Sequence, residues 1–515
     1  MFNGERYRLT FDGSFNGNED LQALEPGQLA MGSRNIDTHN GGAEKRGGTQ
    51  PVGSQIAASL SSLGAGILVK RNSGSIHHYW AGNNGTLYRN GSSIQTGRST
   101  SARHSFTAAD DEMYICNTAS IPRVDTGSAI SDITTAAADW TGSTHPRRMI
   151  VHTKGASRRM VAWGVPGKEN TLYISSTGNF KQFAGGTSTT QSIEFSDGHG
   201  IINCVSKDGT LWIQGRYETW ILDDSDASTA NWGSYRASFK GGVHSPELCT
   251  VINNQIFAMN TEGDIYEVLT AEQLRDYKQA SISETFFIHN YIRSEIDLTK
   301  IDQFHFGYDP KIKALRVFMV RTGQTTVDTC LSWLVNQGKW VPPHDSRDNA
   351  SDSGFSASAS YEIEVSSGQK KLYTQDYNGY TWELSSTTKT DNGNAYTAET
   401  LSGWLDFDLP SEEKRYVYGV LHYKSRGDYQ VTIPWYIDNV QQVTRTISLA
   451  ATAAVLDSFL LDTDTLAIIG VSNREFEFGE IGEKIRISVS NNGAGHDFFL
   501  SHIIIHFVRR GSQRQ

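Results

Sequence analysis

The chain has 515 residues, more than one ordinary core holds, so two or three domains or one large repeat array are expected. Apolar residues make up 37% and charged residues 20%, with 49 Gly and many aromatics, a mix that favours short strands and polar turns over helices. The formal charge of -10, with Lys and Arg in no cluster beyond short pairs, excludes a sequence-reading nucleic-acid binder with a basic face. It does not exclude DNA sliding past a like-charged wall, because sticking needs cations that neutralise phosphates.

In chain order, the first thirty residues are polar, anchored by Leu21, Leu24 and Leu29 around Pro26-Gly27, and read as an extended lead-in. The start, MFNGERYRLT, has no apolar signal core. No apolar run reaches the ~18 residues of a membrane span, and the longest, Ser501 to Val508, is strand-sized. A soluble protein made in a cytoplasm is expected. Met31 to Val52 then reads as a tight hairpin. A strand from Ser33 to His39 runs into Asn40-Gly41-Gly42, where Asn-Gly and Gly-Gly supply the positive φ of a two-residue turn. The return strand leaves through Glu44-Lys45-Arg46, whose charges are expected to keep it soluble.

From about residue 60 a unit recurs: a Gly turn, then a short strand with Leu, Ile or Trp beside an aromatic. Asn84-Gly85-Thr86-Leu87-Tyr88, Glu169 to Ile174, Asp208-Gly209-Thr210-Leu211-Trp212-Ile213, Glu262 to Tyr266 and Asn378 to Trp382 are copies. The turn is made by Asn-Gly or Asp-Gly, and the alternating strand behind it buries every second side chain. Spacings of roughly 40 to 85 residues suit four-stranded blades with long loops. The expected fold is all-β: a β-propeller of six to eight blades over residues 53–395, residues 1–52 belonging to it as lead-in and hairpin, and a C-terminal β-sandwich over 396–515. The hairpin is expected to join the propeller, closing the ring against a later blade. Thr270-Ala271-Glu272-Gln273 carries a capping-box pattern with Leu274 and Tyr277 behind it, which predicts one helix. Ser385 to Thr397 reads as a linker. In Lys414 to Tyr423 alternation places Tyr416, Tyr418, Val420 and His422 on one face.

Chemistry-bearing motifs are weak. Gly42 to Gly47 resembles a phosphate loop but has Gly48 where the Lys belongs and no strand-to-helix context. His77-His78 fall on opposite faces of one strand, and His502 and His506 share a half-exposed strand face rather than a metal. Cys116, Cys204, Cys249 and Cys330 form no CxxC pair and read as buried thiols. Ser206 to Trp212 lacks one residue of a sialidase-type Asp box, and Arg147, Arg148, Arg158, Arg159 and Arg216 cannot be seen to converge. Trp212, Trp220, Trp333, Trp340 and Trp382 are expected to fill blade interiors. No catalytic, cofactor-binding or metal-ligating residue is nominated. The nominated positions are architectural: Asn40, Gly41, Gly42, Lys45, Arg46, Asp208, Gly209 and Trp212.

Asn35-Ile36-Asp37, followed by Gly41 to Arg46 and Gly48-Thr49, resembles the opening of tail nozzle and tail hub proteins of short-tailed bacteriophages, a group that includes packaged-DNA stabilisation proteins. KDGTLWIQGRYETWIL (207–222), CLSWLVNQGKWV (330–341) and the run from Lys484 to Arg510 are similar to its propeller and closing sandwich strands. The pattern has Pro after Lys-Arg where this chain has Gly47. The resemblance implies a virion protein forming a homohexameric ring below the portal and adaptor. It would retain packaged double-stranded DNA, gate its ejection, and contact tail fibres or spikes, with no catalytic residues. The alternative is a propeller that binds or cleaves carbohydrate.

Overall fold

A computed structural model describes residues 4–70, 73–237, 241–271, 276–349, 353–364, 369–450 and 471–510. Seven four-stranded antiparallel sheets follow one another along the chain. Their first strands are Ser62–Val69, Ser105–Ala109, Arg148–Lys154, Asn203–Lys207, Cys249–Ile252, His305–Asp309 and Ala359–Glu364. Each first strand packs beside that of the next blade, and the seventh beside the first, so the strands close a ring. This is a seven-bladed β-propeller. Hydrophobic clusters lie between neighbouring blades: Leu68, Tyr79 and Met113 between blades one and two, and Trp163, Leu172 and Leu211 between three and four.

Close approach at the axis accounts for two glycines of the first inner strand. A Cβ on Gly64 would lie 2.1 Å from the His104 carbonyl oxygen, and one on Gly66 would lie 2.4 Å from Phe106 Cβ. The tryptophans do fill blades: Trp212, Trp340 and Trp382 are almost wholly buried and Trp333 nearly so, while Trp220 is only partly buried.

The recurring Gly turns occupy two positions. Those at Gly85, Gly263 and Gly379 precede the third strand of a blade. In each an Asx side chain organises the loop: Asp376 Oδ1 accepts from the Asn378 and Tyr380 amides at 2.8 Å each, Asn260 Oδ1 from the Glu262 and Asp264 amides at 2.9 Å each, and Asn84 Oδ1 from the Thr86 amide at 3.1 Å. Asp208-Gly209 instead joins the first two strands of blade four, with φ of 50° and 70°, a type I′ pair. Asp110-Asp111 and Asn253-Asn254 make the same turn in blades two and five.

The seventh blade takes its outermost strand from the N-terminal region. Gly48–Pro51 pairs antiparallel with Thr381–Ser386, so the ring is closed by residues distant in sequence. Only this strand of the lead-in belongs to the propeller. Glu5–Thr10 and Ala43–Lys45 pair with Phe499–Arg509, and Ile36–Asp37 pairs with Ala43–Lys45, so these strands extend the C-terminal unit, while the segment between them packs on the propeller: the Phe15 amide donates to the Trp340 carbonyl at 2.9 Å and its ring joins the core of blades four to seven. That unit has a seven-stranded and a six-stranded antiparallel sheet, whose inner faces share one cluster that includes Leu9, Ile36, Tyr416, Trp435, Ile487 and Ile505, the arrangement of a β-sandwich. The chain therefore begins in the sandwich, makes the propeller, and returns. Gly48 sits where backbone passes backbone: a Cβ there would lie 2.0 Å from the Thr390 oxygen. Gly48→Val is expected to cost roughly 3 kcal/mol. It should also speed hydrogen exchange in the Thr381–Ser386 strand, read from urea midpoints and exchange mass spectrometry.

Several local expectations are corrected. The hairpin turn is not two residues long: strands Ile36–Asp37 and Ala43–Lys45 are joined by five residues, Thr38 to Gly42. Gly41 has φ of +75°, but Gly42 is needed for close approach, since its Cβ would meet the Leu500 oxygen at 2.4 Å. Lys45 and Arg46 are buried, not solvating. Thr270 and Ala271 end a strand, and Tyr277 lies on the next, paired with Thr270, so strand pairing overrides the capping-box pattern. Glu272, Gln273 and Leu274 lie outside the described residues. The helix is elsewhere, at Ile288–Glu295. A register shift between Tyr416 and Tyr418 turns Tyr416 into the core with Gly419, Leu421 and Tyr423, leaving Tyr418, Val420 and His422 half-exposed. Among the described residues no helix is long and apolar enough to cross a membrane.

Candidate functional site

The architectural residues nominated at the hairpin form a clasp where the chain enters and leaves the propeller. Arg46 is fully buried and donates from Nη1 and Nη2 to Asp391 Oδ1 and Oδ2 at 2.9 and 2.7 Å. Its Nε donates to Asn35 Oδ1 at 2.8 Å, and its guanidinium lies 3.7 Å from the Tyr396 ring centre and 4.4 Å from that of Phe355. Asp391 also accepts from the Thr49 amide and hydroxyl at 3.2 and 3.1 Å. The supposed linker thus supplies a buried carboxylate and a buried aromatic. Lys45 donates to Gly493 O at 2.8 Å and Asn491 Oδ1 at 3.2 Å, tying the hairpin to the sandwich. Burial, then Arg46 and Lys389, pull its ammonium down to about 8. Asn40 donates to Glu44 at 2.6 Å across the loop. Asp208, Gly209 and Trp212 lie far along the chain in blade four and do not join this cluster: Asp208 is exposed at its turn, and Trp212 is packed in the core of blades four to seven.

A second cluster lies where the first strands begin, around the propeller axis. A cavity of about 190 Å³ is lined by residues of six blades, including Arg103, His104, Arg148, Glu247 and His305. Arg148 pairs with Glu247. Arg103 Nη2 donates to the Asp302 carbonyl oxygen at 3.1 Å, and His244 meets the Asp302 carboxylate at 2.9 Å. Arg148, Arg103 and Arg147 act together on Glu247 and, against its burial, hold it down to about 2. Of the five arginines considered from sequence, Arg147 and Arg148 meet here, while Arg158 pairs with Asp110 at the opposite face and Arg159 donates to the Ser175 and Thr187 carbonyls. Sequence reasoning missed Arg103, Glu247 and His305. Each immediately precedes or opens the first strand of its blade, a signal visible only once the blades are framed. Among the described residues no group of three His, Cys, Asp or Glu is placed to hold a metal ion.

The two axial histidines make acid stability predictable. Burial, then Arg98 for His104 and Arg103 for His305, pull their imidazoles down from 6.5 to about 4 and about 3. Between pH 6.5 and 4 the unfolded chain therefore binds protons that the folded chain refuses, and stability falls as pH falls through that window. Each buried histidine is expected to contribute about 1 kcal/mol per pH unit there. Melting curves between pH 7 and 4.5 check this, and His305→Gln should flatten the slope.

No protein-family model matches the chain, and no curated protein does. Solved structures similar to it include YCF48 bound to a D1 peptide, at 11% identity over 66% of this chain and 95% of that one, with a TM-score of 0.38. The β-propeller domain of Cps50 (Swd1) from Myceliophteria thermophila aligns at 8% identity over 66% of this chain and all 100% of that one, TM-score 0.40. The exo-β-1,3-galactanase of Phanerochaete chrysosporium aligns at 9% identity over 89% and 100%, TM-score 0.25. The propeller assignment rests on the closed ring of first strands, not on these likenesses.

Proposed function

We propose that the chain is a structural virion protein, a tail nozzle or hub subunit that assembles with copies of itself, about six, around a DNA exit channel. It retains packaged double-stranded DNA and releases it by parting of the loops that constrict the channel, a two-state gate rather than a reaction. The observation that carries the reading is how the resembling segment is used. Asn35, Lys45, Arg46 and Thr49 are spent on holding a propeller to a sandwich, which is what a structural subunit asks of them. In this reading the lumen lies between subunits rather than along the propeller axis, where Arg148 of blade three pairs with Glu247 of blade five. A formal charge of -10 suits a wall that DNA passes without being gripped. Blade edges and the sandwich supply the head-to-tail contacts and meet the portal, adaptor and fibre or spike proteins of the virion.

Electron microscopy and mass photometry of the full chain test this. The expected result is a closed ring with a lumen wide enough for duplex DNA and no sequence preference in DNA binding. A chain that stays monomeric at high concentration and is absent from purified particles would sink the reading.

A further inference from the structure

We infer that the axial cavity binds a small hydroxycarboxylate, its carboxylate held by Arg103 and Arg148 and its hydroxyl donating to His305. This stands independently of whether the chain forms rings. The cavity of about 190 Å³ equals roughly six water volumes, enough for a compact organic acid and too small for a polymer. Arg148 pairs with Glu247, and the charges of Arg103 and Arg147 bear on the same carboxylate. A further counter-charge, Asp302, has a 90% exposed side chain and is engaged by His244. An incoming carboxylate relieves that excess of positive charge in a confined site, and guanidinium forks match its geometry.

The second half of the ligand is written by His305. Its ring stacks on Phe318 at 4.7 Å, and Nδ1 faces the Gln303 carbonyl at 3.4 Å, which assigns the proton to Nδ1. Nε2 is then a bare acceptor, buried and without a partner among the described residues. A ligand that satisfies it must bring a hydrogen-bond donor close to its anionic head. A hydroxyl does so without adding a cation beside the arginines.

Isothermal titration calorimetry of the full chain tests the assignment with L-lactate, with propionate, which lacks the hydroxyl, and with orthophosphate. Lactate is expected to bind saturably at one site per chain, with propionate and orthophosphate roughly tenfold weaker or worse. Arg103→Gln should weaken lactate roughly tenfold or more, while Arg158→Gln, the same charge change on the opposite face, should leave it unchanged. Should Arg103→Gln fail to fold, Arg148→Gln, which removes the other guanidinium assigned to the carboxylate, gives the same comparison. Absence of saturable lactate binding, equal affinity for propionate or orthophosphate, or equal loss in Arg158→Gln overturns the proposal.

Discussion

Replacing Arg46 with Met is expected to lower the unfolding free energy by about 3–5 kcal/mol, the cost of leaving a buried carboxylate without its partner. Asp391 has a side chain only 1% exposed, and the two remaining Thr49 bonds do not neutralise it. Arg46→Lys should recover little, because an ammonium offers neither the two parallel bonds nor the flat face between Phe355 and Tyr396. The double variant Arg46→Met with Asp391→Leu should recover much of the loss, since an apolar pair removes the stranded charge. Urea unfolding of the single and double variants measures the coupling directly. An Arg46→Met protein within about 1 kcal/mol of the parent would mean that the clasp is slack.

Trp382→Ala is expected to cost about 3–5 kcal/mol, because the indole is fully buried and the space it leaves is walled by strands that cannot collapse together. Trp382 is paired with Pro51 across the seam that closes the ring, and its Nε1 donates to Asp376 Oδ2 at 2.9 Å. Trp382→Phe keeps most of the ring volume but strands that carboxylate oxygen, so about 1–3 kcal/mol is expected from the bond alone. If packing dominates, the two variants separate widely in thermal melting. If they coincide, the hydrogen bond to the Asp376 turn matters more than the cavity.

The blade pattern was legible because its turns use residues with a mechanism. Asp208-Gly209 declares positive φ through its glycine, whereas Asp110-Asp111 and Asn253-Asn254 adopt the same backbone with residues that only tolerate it, and so pass unnoticed. The sandwich strands were legible from alternation until Tyr416, where one extra residue inverts the face and no local signal announces it. Burial of Lys45 and Arg46 was not legible. Charged residues after a turn ordinarily face water, and only Asp391, hundreds of residues away, makes an interior place for Arg46. The axial residues were hidden for a related reason: Arg103, Arg148, Glu247 and His305 come from different blades and share no motif, only a position at the head of an inner strand.

Pairing of Glu5–Thr10 with Phe499–Arg509 has a consequence for synthesis. Glu5–Thr10 leaves the ribosome hundreds of residues before its partner. At roughly 5–20 residues per second, about 25 to 100 s pass before that partner exists. During that interval Leu9, Ile36 and Ala43 have no sheet to cover them, while Gly48–Pro51 can already seal the seventh blade once Thr381–Ser386 emerges. The propeller is thus available for folding before the unit that flanks it on both sides. A chain halted short of Phe499 would leave Glu5–Thr10 unpaired and Lys414–Lys424 with one open edge, two strand edges that Phe499–Arg509 closes together in the folded protein.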